Sequence, residues 1–85
     1  MAQWKFAKAI NENEEFKIEG INIWNHYWHC VDKKVEVIGP NRGNTYYFKE
    51  YQIDENGKTI NFVAGEFADY QVGIYLKDDL SDAKL

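Results

Sequence analysis

The 85-residue chain is predicted to be all-β: a small antiparallel meander closed as a barrel, or a two-sheet sandwich. Three observations carry this. Polar and apolar residues alternate through 45–53 and 58–64, on either side of Asn56-Gly57, the best short-range hairpin marker. The other apolar runs are short, rich in Val, Ile, Tyr, Phe and Trp, and punctuated by Gly, Asn, Asp and the single Pro40. Finally, no stretch beyond the N-terminal one reads well as a helix, which would need a polar face opposite an apolar stripe.

Taken in order, residues 3–10 place Trp4 and Phe6 two apart, as on one face of a strand. Trp4, Ala7 and Ile10 also fall at helical spacing, so the alternative fold is an antiparallel sheet with one N-terminal helix. Asn11, Glu12, Asn13 and Glu14 are polar and turn-like, and residues 15–19 alternate as a half-exposed strand ended by Gly20. If 3–10 is extended, these two strands form a hairpin. Residues 21–31 hold both histidines, the only cysteine and two of the three tryptophans. Their β-branched and aromatic content predicts a central strand covered on both faces, with Gly20 as a bulge or bend rather than a full turn. Asp32, Lys33 and Lys34 then read as a hairpin link to a β-branched strand at 35–38.

Residues 39–44, Gly-Pro-Asn-Arg-Gly-Asn, are the strongest loop signal. Pro40 cannot donate to a ladder, and glycine and asparagine tolerate positive φ. Backbone N–H groups with Arg42 suit an anion, but no phosphate-loop spacing is present, so a plain hairpin loop is the stronger reading. The hairpin 45–64 follows, with Tyr47 and Tyr51 on one face and Tyr46 and Phe48 on the other. Residues 65–69 interrupt the pattern as a turn or bulge. The last strand, 70–76, puts Tyr70, Val72, Ile74 and Leu76 on one face, while Gly73 opposite leaves room for a neighbouring ring. Residues 1–77 thus form one domain, and 78–85 a charged tail without pattern.

Hydrophobic residues make up 45% of the chain, and three Trp, six Tyr and five Phe supply enough area for one compact core. A single cysteine excludes an internal disulfide and fits a reducing, cytoplasmic setting. The N-terminus lacks the apolar run of a signal peptide, and no run is long enough to span a membrane. The net charge is −4, concentrated at 11–20, where Glu12, Glu14, Glu15 and Glu19 face only Lys17, and at 61–85. An acidic chain without a basic run is a poor partner for double-stranded nucleic acid, and no membrane partner is expected.

Catalytic and metal chemistry find little support. On a strand, His26 and Cys30 lie about 13 Å apart, beyond the reach of one zinc ion, and His29 points the other way. His29 and Cys30, though adjacent, fall on opposite faces. Glu66 with Asp69 is the one conceivable carboxylate pair, and a glutamate there is ordinarily solvated. The expectation is a non-enzymatic protein without cofactor or metal.

For binding, the surplus is aromatic. Trp24, Trp28, Tyr46, Tyr47 and Tyr51 are the candidate residues, with Arg42 from the loop. The bland alternative for any one ring is that it fills the core. The first expectation is an interaction module that binds a protein partner, or itself as a homodimer, through an aromatic-rich sheet face. In that role it acts as an acidic inhibitor or adaptor, with acidic patches at 12–19 and 78–82 steering a basic partner. The second is a small-ligand domain in which rings stack on a sugar or nucleobase and the 39–44 loop closes over it. An aromatic sheet for single-stranded nucleic acid is a third variant, weakened by the charge.

Overall fold

The computed structural model describes residues 4–40, 43–68 and 70–77. Seven strands follow one another: β1 (Trp4–Asn11), β2 (Lys17–Ile18), β3 (Ile21–Asn22), β4 (His29–Ile38), β5 (Thr45–Glu55), β6 (Lys58–Ala68) and β7 (Gln71–Lys77). A single 3-10 turn at Ile23–Asn25 lies between β3 and β4. Five strands form one antiparallel sheet in the order β1-β7-β6-β5-β4, and β2 and β3 form a separate ribbon. The domain is therefore all-β, and β4 to β7 run as a meander. The sheet is not closed into a barrel: β1 and β4 are its two edges. The proposed tail, 78–85, lies outside the described residues.

Where the N-terminal segment was open between strand and helix, it is a strand. A bulge at Ala7 reconciles its two apolar patterns, because Phe6 pairs with Tyr75 and Lys8 with Ile74. One extra residue switches the side-chain alternation, so Trp4 and Phe6 face one way and Ile10 the other. The expected hairpin with residues 15–19 does not form; β1 pairs with β7 instead. Residues 15–19 contribute only the short β2, and Glu19-Gly20 are a full two-residue turn rather than a bend. Both have positive φ (53° and 84°), as do Asn56-Gly57 (51° and 80°) at the firmly expected β5–β6 hairpin. No hairpin turns at residues 32–34. The chain runs straight through them in β4, with register shifts on either side of Asp32. Asp32 Oδ1 accepts from Lys34 N at 3.1 Å, which holds this irregular stretch.

The sheet is apolar on both faces. On the first, Ile10, Ile53, Ile60, Phe62, Ile74 and Leu76 pack under Ile18, Ile21 and Ile23 of the segment that crosses over them. On the second, Val37, Phe48, Val63 and Tyr75 are buried among Trp4, Phe6, Val35, Tyr46 and Phe67. No further layer covers this second face among the described residues, so the sheet curls over it. β1 and β4 approach until some of their Cα atoms lie within 8 Å. Tyr75 Oη on β7 donates to Ile38 O on β4 at 2.8 Å, two strands beyond its neighbour. Rings cover rings inside the curl: Phe6 stacks on Phe67 at 5.4 Å and meets Tyr75 edge-on at 5.6 Å. Gly65 and Gly73 are cross-strand partners, and their missing side chains make room for two of these rings. A Cβ on Gly65 would run into the Phe48 ring, and one on Gly73 would sit 2.9 Å from Phe67 Cδ1.

Candidate functional site

The Trp-rich stretch is not one strand. Extended backbone stops at Asn22, turns through Ile23–Asn25 and resumes at His29. The cause is local. Asn22 Oδ1 accepts from Trp24 N at 3.2 Å and from Phe16 N at 3.5 Å, which caps the turn at the expense of a ladder. Trp28 Nε1 then takes the Ile23 carbonyl at 2.6 Å. On a strand the two tryptophans would be about 13 Å apart; the turn brings their ring centroids to 4.9 Å. Trp28 also meets Tyr51 at 5.2 Å and Phe62 edge-on at 5.0 Å.

Beside these rings lies a cleft of about 370 Å³, at the end of the sheet where β1 stops and β6 turns into β7. Trp24, Trp28, Tyr51, Ala64 and Val72 give it apolar walls, and the bare backbone of Gly65 adds to them. Glu12, Glu66, Tyr70 and Gln71 supply the polar lining. Glu12 is placed by a turn in which Glu14 N donates to Asn11 O at 2.9 Å and Asn13 has a φ of 68°. Tyr70 stands at a φ of 61° and is 91% exposed. A bulky side chain in the left-handed region is an outlier, and this one gains little from packing. Among the described residues, neither Glu12 nor Glu66 meets a cation or a hydrogen-bond donor, and no Lys, Arg or His lines the cleft. Trp24 Nε1 is buried without an acceptor among the described residues. Burial, and secondarily Cys30, raise the Tyr51 hydroxyl above its ordinary value of 10.0.

Of the residues singled out in the sequence, the fold gathers Trp24, Trp28 and Tyr51. Tyr46 sits on the opposite face, 5.4 Å from both Phe48 and Phe67. Tyr47 is exposed, with Lys34 Nζ 4.9 Å over its ring. Arg42 and Asp69 lie outside the described residues. The described part of the 39–44 loop does not line the cleft. Glu12, Tyr70 and Gln71 were not foreseen. They come from a turn after β1 and the connection after β6, and no local pattern links the two.

The remaining candidates for chemistry are dispersed. His26 Nε2 lies 3.5 Å from Glu55 Oε1, and Cys30 Sγ lies 3.6 Å from Asp32 O. No group of three or more His, Cys, Asp or Glu converges as a metal site among the described residues. No helix among them is long and apolar enough to cross a membrane. The chain matches no protein-family model, no curated protein and no solved structure. What the cleft does must therefore follow from its own geometry.

Proposed function

We propose that the chain is a non-enzymatic binding domain that holds a small ligand in the Trp24–Trp28–Tyr51 cleft. The observation that supports this reading most is the convergence of three rings from two distant segments on one opening. A core needs no cleft, whereas ligand sites are concave, mostly apolar and carry a few polar groups at fixed positions. The volume, about 370 Å³, falls within the usual range for such sites. Stacking on the rings supplies affinity, and the polar lining supplies orientation. The 39–44 loop has no part in this version of the reading.

The tryptophans make the test direct. Nitrogen-15 spectra resolve the three indole N–H groups, and Trp4, against the opposite face, serves as the internal control. A panel of methyl pyranosides, nucleosides and alkylammonium salts should contain members that move Trp24 and Trp28 saturably and leave Trp4 in place. If none does, or if all three resonances move together, the cleft is not a ligand site.

A protein partner remains the second reading, on a different observation. Ile38 and Tyr47 are both more than half exposed and lie diagonally on one face of the β4–β5 pair. Substituting both with Ser should abolish partner capture or self-association without touching the cleft. Light scattering across protein concentrations checks the self-associating case.

A further inference from the structure

We infer that the cleft selects a quaternary ammonium ligand, a small choline-like molecule whose cation lies over the tryptophan and tyrosine faces between Glu12 and Glu66. This rests on reading the cleft as a ligand site and names the chemistry it takes. Three independent features point the same way. The first is the ring set: aromatic faces carry the negative side of the ring quadrupole and attract cations, tryptophan most strongly. Two of the three walling rings are tryptophan.

The second is charge. Glu12 and Glu66 reach the cleft from opposite elements, and neither is neutralised by a described residue. With no Lys, Arg or His among the described residues of the lining, both carboxylates act in the same sense on whatever enters. They repel phosphate and carboxylate groups, which removes nucleotides. A neutral sugar draws nothing from their net charge. A quaternary ammonium draws on both carboxylates and on the rings, and it needs no hydrogen bond from the walls.

The third is Tyr70, whose conformation is costly and whose ring buries little in the free protein. A phenol ring at the edge of the cleft gains contacts once a methylated cation sits beneath it. The volume is larger than a trimethylammonium head alone requires, so it accommodates the short chain attached to it.

Titration with choline chloride, against sodium chloride at the same ionic strength, tests the inference. The expected result is saturable movement of the Trp24 and Trp28 indole resonances with Trp4 unmoved. Glu12→Gln and Glu66→Gln should each weaken binding by about three- to fivefold, the size of one exposed charge pair at close range. Both variants change exposed side chains and leave the fold intact. Tyr70→Gly should weaken choline binding while the melting temperature holds or rises.

Choline affinity unchanged from that of the unsubstituted protein in both Glu→Gln variants overturns the inference. So does a methyl pyranoside that moves Trp24 and Trp28 while choline does not, although the cleft then stands as a ligand site. If nothing in the panel moves them, the underlying reading falls as well. A trimethyllysine peptide that binds at least ten times more tightly than choline assigns the cleft to a partner chain and overturns the small-molecule source.

Discussion

At the scale of single residues, the tryptophans of the cleft have opposite hydrogen-bond states. Trp28 donates to Ile23 O, whereas Trp24 Nε1 is buried without an acceptor among the described residues. Trp28→Phe leaves the Ile23 carbonyl with only the longer bond from His26 N, at 3.4 Å, and should cost about 1 kcal/mol. Trp24→Phe removes an unmatched donor together with part of a ring, so its cost should be smaller. Urea unfolding of the two variants checks the order. Tyr70→Gly should stabilise the fold by about 1–2 kcal/mol, the usual penalty of the left-handed region for a side chain. Gly65→Ala should do the reverse, because its methyl group would enter the Phe48 ring; overpacking of this kind costs about 1–3 kcal/mol. Gly65→Ala combined with Phe48→Leu should cost less than the two added separately, since the smaller side chain vacates the contested space. A strictly additive double mutant would contradict that packing.

Among the elements, the crossing segment between β1 and β4 controls the cleft. Asn22→Ala removes the cap from the 3-10 turn and should cost about 1 kcal/mol. Because the turn alone brings the two indoles together, the same variant should weaken ligand binding by more than its stability loss implies. Denaturant titration and indole shifts on one sample separate the effects.

The sequence revealed elements unevenly, for physical reasons. The β5–β6 hairpin was legible because its turn chemistry and its alternation are both local, and Asn56-Gly57 adopts the expected positive φ values. The 21–31 stretch misled because β-branched and aromatic content favours strands, while one asparagine side chain diverted the backbone. The partner of β1 lies at the other end of the chain, and no periodicity encodes such a pairing. Three cleft rings stood out by residue type alone. Glu12 and Tyr70 did not, since nothing about a glutamate in a polar turn, or a tyrosine before a strand, announces where the fold will carry it.

For the molecule as a whole, the curled sheet depends on Tyr75 joining its two halves. Tyr75→Phe should cost about 1 kcal/mol at neutral pH through the lost hydrogen bond to Ile38 O. Burial, and then Tyr46, raise its hydroxyl above the ordinary 10.0, and burial raises Tyr51 likewise. The unfolded chain therefore gives up these protons first as pH climbs. Their contribution is complete below about pH 10 and is lost as pH rises through the folded values. Urea midpoints should be flat from pH 7 to 9 and fall beyond pH 10. In Tyr75→Phe the fall should be shallower; an unchanged slope would mean that this hydroxyl ionises as freely folded as unfolded.

The pairing of Trp4 with Lys77 gives the molecule a mechanical character. The first and last described strands are antiparallel neighbours, so the described backbone begins and ends at one corner. Force applied between Trp4 and Lys77 loads that single rung, and only then passes to Lys5 with Leu76. Hydrogen bonds then break in succession rather than in parallel. The domain peels open like a zip under weak tension, although heat must melt both of its cores together.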